Sequence, residues 1–130
     1  MLVIDKMSRK PIYEQIVEGI EREIVTGLIG EQEQLPSIRE LSALLGINPN
    51  TIQKAFLDLD RAGVIVSTPG RGCFVAPNAR EKIRERLGSK IAEIREMAIE
   101  LANAGIDETA IIAAVHSAYE QSGAKDGRKE

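Results

Sequence analysis

The sequence predicts a mainly α-helical fold with one small β-hairpin: three helices, the hairpin, then two further helices. Three observations predict it. Apolar residues recur at helical spacing between residues 11 and 61, and short β-branched or apolar runs flank a Pro-Gly turn between residues 64 and 75. A second helical series of apolar residues runs from 83 to 119. Size agrees: 130 residues, 43% of them hydrophobic, suffice for one ordinary domain plus an appendage. With two Tyr, two Phe and no Trp, the core is expected to be aliphatic.

The first helix is expected from Pro11 to about Thr26. Ile12, Ile16, Ile20 and Ile24 recur every four residues, and Tyr13, Val17 and Val25 widen the stripe. Pro11 suits the first turn and Gly27 the stop. Residues 30–34 read as a polar loop leading to Leu35-Pro36. The second helix opens on a capping box, in which the Ser37 hydroxyl and the Glu40 carboxylate satisfy each other's amides. Ile38, Leu41, Leu44 and Leu45 form its apolar face, and Gly46 ends it. Asn48 caps the third helix and Pro49 takes its first position. Ile52, Ala55, Phe56 and Leu59 are the buried stripe, which leaves Asn50, Thr51, Gln53, Lys54 and Asp58 facing elsewhere, and Gly63 closes the helix. Val64–Thr68, the turn Pro69-Gly70-Arg71-Gly72, and Cys73-Phe74-Val75 make the hairpin.

Beyond Pro77-Asn78 the character changes. A charged run fills 80–86, and Ile83, Leu87, Ile91, Ile94, Ala98 and Leu101 are spaced by fours and threes, close to the seam of a helix pair. Ala104-Gly105 breaks the pattern; Asp107 is a candidate cap, with Ile106 placed to staple onto Ile111. Ile111, Ile112, Val115 and Tyr119 continue the apolar side. The expected organisation is a first domain over 1–78, a helical region over 79–122 and a polar tail over 123–130. Two short helices make a poor independent core, so residues 79–122 are expected to pair two copies into a homodimer.

Three helices and a hairpin, with a tight Leu45-Gly46-Ile47 turn, are the order of a winged helix-turn-helix. The third helix then carries short polar side chains where base edges are read: Asn and Gln suit bidentate pairing with adenine, and the Thr methyl suits a thymine methyl. Helix N-termini also favour phosphate, and glycines around Arg71 let a narrow loop approach the backbone. Read alone, Arg39 is equally a surface ion pair, Asn48 only a cap, and Gln53 and Lys54 a solvated face. The motifs 35–41 (LPSIREL), 45–55 (LGINPNTIQKA) and 70–75 (GRGCFV), preceded by PIYEQI at 11–16, resemble the GntR family of bacterial transcription regulators over residues 8–77. The brief tail is similar to its YtrA-type branch, in which two C-terminal helices serve dimerisation. The resemblance implies a repressor of its own operon, with Arg39 touching DNA from the second helix. It implies Asn48, Asn50, Thr51, Gln53 and Lys54 on the recognition helix, and Arg71 and Gly72 at the wing tip. Many members carry Arg where Pro49 stands, so one contact is expected to be missing.

Charge pulls the other way. The formal net is −3, and residues 1–78 hold 8 Lys/Arg against 10 Asp/Glu, a net of −2. Binding needs positive charge on one face and not on average, so the expectation is weak non-specific affinity. One cysteine excludes an intrachain disulfide and a multi-Cys zinc site; Cys73 reads as a small strand hydrophobe, and His116, the one histidine, sits on a helix by apolar neighbours with no metal or catalytic role expected. No phosphate loop, metal-ligand cluster or nucleophile–histidine pairing points to an enzyme, a metal or a cofactor. No apolar run spans a bilayer and no signal pattern opens the chain, so the cytoplasm is the expected address. The partners expected are operator DNA, bound as an inverted repeat, and a second copy. A small-molecule effector is left unidentified, since about 50 residues in two helices offer little room for a pocket. The rival reading is a winged helix that binds protein.

Overall fold

The computed structural model describes residues 2–123. Among them are six helices and two strands: α1 (Ile12–Val25), α2 (Ile38–Leu45), α3 (Pro49–Arg61), β1 (Ile65–Thr68), β2 (Gly72–Val75), α4 (Ala79–Gly88), α5 (Ile91–Asn103) and α6 (Glu108–Ser122). The chain forms two compact units, one ending at Gly88 and the other beginning at Ser89. Apart from Gly123, the tail expected at 123–130 lies outside the described residues.

In the first unit α1 buries Ile16, Ile20 and Ile24, the every-fourth stripe of the sequence, with Ile12, Tyr13, Val17 and Val25 half-buried beside them. Pro11 stands just before the helix, as its N-cap, and Thr26 ends it ahead of Gly27. α1 packs on α3 and α4, while α3 also packs on α2 and β1. The centre of the core is aliphatic, built from Ile16, Ile24, Ile52, Leu59, Ile65, Val75 and Ile83, with Phe56 its buried aromatic. The capping box of α2 is formed: Glu40 N donates to Ser37 Oγ (3.0 Å) and Ser37 N to Glu40 Oε1 (2.8 Å). Leu44, expected on the apolar face of α2, is 72% exposed. Successive helical residues are about 100° apart, so the face centred on Leu41 and Leu45 leaves Leu44 off its edge.

The hairpin pairs antiparallel, Ile65 with Val75 through Thr68 with Gly72. The segment read as a polar loop joins it. Gln34 bridges Phe74, Leu35 N donates to Cys73 O (2.9 Å) and Val75 N to Glu33 O (2.9 Å). A one-residue bridge is too short to carry an alternating pattern, which is why the sequence reads it as loop.

α4 departs most from expectation. Residues 83–101 read as one continuous seam, but the helix ends at Gly88 and α5 begins at Ile91. Gly88 and Ser89 are weak helix formers at the break. Ala79 and Ile83 are fully buried and part of the first unit's core. Ile83 is therefore corrected from a seam residue to a core residue: its apolar surface is already covered within its own chain. Two polar ties reinforce α4. Arg86 Nη2 lies 2.6 Å from Glu21 Oε1 on α1, and Lys82 Nζ donates to the Gly63 carbonyl beyond α3 (3.1 Å). The hydrogen bond to Glu21 raises the Arg86 pKa above its ordinary value, against the desolvation that lowers it and with the carboxylate's charge also raising it.

The second unit contrasts with the first. Neither α5 nor α6 has a single buried residue. Ala98 and Ile111 are half-buried, while Ile91, Ile94, Met97, Ile112 and Tyr119 are each at least half exposed. Asp107 is the N-cap residue of α6, but its carboxylate accepts from the Thr109 hydroxyl instead of a backbone amide.

Candidate nucleic-acid interface

The turn from α2 into α3 is set by a few atoms. Gly46 closes α2 in the left-handed region (φ 67°), which glycine adopts without the Cβ clash of other residues. The Ser42 hydroxyl donates to the Ile47 carbonyl (2.7 Å), fixing the chain as it leaves the turn, and Ile47 is buried. Asn48 Oδ1 then accepts from Asn50 N at 2.8 Å and Pro49 fills the first helical position. Ile52, Ala55, Phe56 and Leu59 are buried, as the stripe requires. Asn48, Asn50, Gln53 and Lys54 are exposed and Thr51 is half-buried. The polar start of α3 is thus presented on a helix fixed from behind by the core. Leu57, on the same helix, is also 47% exposed.

Arg39 and Arg71 are exposed, and neither makes an ion pair with a described residue. The reading of Arg39 as a surface salt bridge therefore has no partner for it among the described residues. Lys54 is exposed, but its ammonium sits 4.4 Å from the centre of the Tyr13 ring on α1, a cation–π contact that sequence spacing does not reveal. Asn48 is a cap and remains exposed, so capping leaves its side chain accessible.

At the wing, Arg71 N donates to the Thr68 carbonyl (2.9 Å) and closes the turn between the strands. Gly70 and Gly72 have φ of 77° and 115°, values that the tight turn demands. The Gln34 side chain, from the bridge before α2, donates to the Arg71 carbonyl at 2.9 Å. The sequence reading missed Gln34; its one signal was a position next to Leu35, the buried apolar residue that ends the polar run.

Cys73 is half-buried with its sulfur 3.4 Å from the Ser67 hydroxyl, and His116 is a surface residue 3.7 Å from Glu120. Among the described residues no group of His, Cys, Asp or Glu could hold a metal ion, and no helix is long and apolar enough to cross a membrane. Of the residues expected in the dimer seam, Ile83 and Leu87 belong to α4, Ile83 buried in the core and Leu87 42% exposed. The rest lie on α5 and α6, where Ile91, Ile94, Leu101, Ile112, Val115 and Tyr119 are exposed and Ala98 and Ile111 half-buried.

Comparison with known proteins places this geometry. The profile of the bacterial regulatory proteins of the gntR family matches residues 12–75, from α1 to the end of β2. The HTH-type transcriptional repressor YtrA of Bacillus subtilis is 35% identical over 108 residues, covering 82% of this chain and 83% of the relative. Among solved structures, a transcriptional antiterminator from Listeria monocytogenes EGD-e has 33% identity and a TM-score of 0.73 over 94% of this chain and 91% of its own. A GntR family transcriptional regulator from Listeria monocytogenes has 34% identity and a TM-score of 0.71, over 88% and 98%. Likeness over these spans reaches beyond the wing into the C-terminal helices. The chain belongs to the gntR family of bacterial regulatory proteins, and its winged helix is the DNA-binding part of a transcription regulator.

Proposed function

We propose that the chain is a repressor that binds an inverted-repeat operator as a homodimer, reading bases with α3 and holding phosphates with Arg39 and the wing. The observation that carries the contact assignment is the exposed polar start of α3 together with two exposed arginines, none of it committed to an ion pair among the described residues. In this proposal Asn50, Thr51 and Gln53 face base edges. Asn48, Lys54, Arg39, Arg71 and the Gly72 backbone face phosphate or sugar, which positions the helix without specifying sequence. The dimer rests on a separate observation, the absence of any buried side chain in α5 and α6. Helices of 13 and 15 residues are marginal in water unless an apolar face is covered, and the apolar series along them supplies such a face. A second copy covers it, with Leu87, Ile91, Ile94, Ala98, Leu101, Ile111, Ile112, Val115 and Tyr119 as the seam. The chain works in the cytoplasm and catalyses nothing.

The test is a mobility-shift titration of the full chain on the palindrome upstream of its own operon, against a scrambled duplex of equal length, over a range of salt. The expected result is a salt-sensitive complex on the palindrome at protein concentrations that leave the scrambled duplex free. Equal binding to both duplexes, or none to either, refutes the operator reading and favours the protein-binding alternative.

A further inference from the structure

We infer that Gln34, which stands outside every proposed DNA contact, is the positioning residue of the wing. It clamps the Arg71 segment to the bridge segment that feeds α2. Four observations converge on it. Its side-chain amide donates to the Arg71 carbonyl (2.9 Å) across 37 residues of chain. Its backbone bridges Phe74, and its neighbours Glu33 and Leu35 are hydrogen-bonded to Val75 and Cys73 at 2.9 Å each, so the donor itself is held. Gly72 lies directly under the amide: a Cβ at that position would come within 2.6 Å of Gln34 Nε2, so the close approach exists because residue 72 has no side chain. Finally, two residues after Gln34 comes Pro36, and then Ser37, the N-cap of α2, which carries Arg39.

The consequence is specific. Arg71 has its amide held by Thr68 and its carbonyl by Gln34, while its guanidinium makes no ion pair with a described residue. The backbone of the wing tip is thereby fixed before DNA arrives, and only the side chain is left to order on binding. Pre-organisation of this kind lowers the entropy cost of making a contact without adding one. The clamp also ties the wing to the segment leading into α2, so the two arginines share a support.

This inference rests on the wing reading above, and the test separates the two. Operator affinity is measured for the native chain, Gln34→Ala, Gln34→Met, Arg71→Ala and the Gln34→Ala/Arg71→Ala double variant, with thermal melting of each. Gln34→Met keeps the side-chain length and loses the donor. Both Gln34 variants are expected to melt close to the native chain, because the residue is exposed, and to bind operator about two- to tenfold more weakly, the worth of one net hydrogen bond. In the Arg71→Ala background Gln34→Ala is expected to change nothing further. Equal loss in both backgrounds, or native binding by Gln34→Met, overturns the clamp and leaves the wing reading intact. Native binding by Arg71→Ala overturns the wing reading and the clamp with it.

Discussion

At the scale of single residues, the exposed side chains of this interface divide by what surrounds them. Arg71 stands on a fixed turn with its charge unpaired among the described residues, so its contribution to binding is expected to be electrostatic and indifferent to sequence. Arg71→Ala should weaken binding to every duplex and reduce the slope of log K against log salt by about 0.9 per protomer, one phosphate contact each. A titration from low to high salt reads this directly, and an unchanged slope excludes the wing from phosphate. Gln53 is the opposite case. Its amide offers a donor and an acceptor from the exposed side of α3, and no described group competes for it. Gln53→Ala should therefore relax preference at particular base pairs, by about 1–3 kcal/mol at each, as seen by competition with single-substituted operators. Uniform loss across all substituted operators would assign Gln53 to the backbone. Lys54 lies between the two, since the Tyr13 ring already holds its ammonium at 4.4 Å and restricts where the charge can go.

At the scale of elements, α4 is the informative one. Its Glu21–Arg86 tie joins a buried carboxylate, with side-chain exposure of 9%, to a guanidinium still 47% exposed. The second oxygen, Glu21 Oε2, is buried with no hydrogen-bond partner among the described residues, and Arg86 holds the first, Oε1, at 2.6 Å. Removing Arg86 leaves a buried charge without that partner, which costs more than the pair itself contributes. Arg86→Met should lower stability by about 1–3 kcal/mol, while adding Glu21→Leu to it should restore most of the loss. Denaturant titration of the three chains checks both steps; a double variant as unstable as Arg86→Met would mean that α4 depends on the pair and not on packing. The same element shows where the sequence is legible and where it is not. Caps and stripes are local, and the capping box at Ser37, the Asn48 cap and the Ile16-Ile20-Ile24 stripe all stand where their residues put them. The exposed polar start of α3 is legible for the same reason, as what remains when the stripe is buried. Non-local facts are not. Nothing in residues 80–86, six of seven charged, announces that Ile83 closes the core of the winged unit. Nor does a glutamine in a polar run announce a hydrogen bond to a carbonyl 37 residues away.

At the scale of the whole molecule, the two units have opposite deficits. The winged unit is well packed but carries little positive charge: residues 1–78 have a net of −2, so a single copy is expected to hold DNA weakly. The C-terminal unit has apolar side chains in plenty but fully buries none of them. The proposed pairing through α5 and α6 would answer both at once, because joining two copies makes the second half-site contact intramolecular and raises affinity by about 10²–10⁴ without any new contact to DNA. A charge placed in the seam should therefore act on DNA binding from outside the interface. Ile94 is half exposed in the isolated chain, and Ile94→Glu adds a carboxylate that stays solvated in the monomer but would be desolvated in the dimer. The variant is expected to sediment as a monomer at micromolar concentration and to bind the palindrome about a hundredfold or more weakly. Its winged unit should stay folded, and its affinity for an isolated half-site should match that of the native chain. Native affinity for the palindrome in a monomeric variant would show that one winged unit suffices. Loss of half-site binding as well would place the effect in folding and not in assembly. The comparison of half-site with palindrome thus isolates what joining two copies contributes.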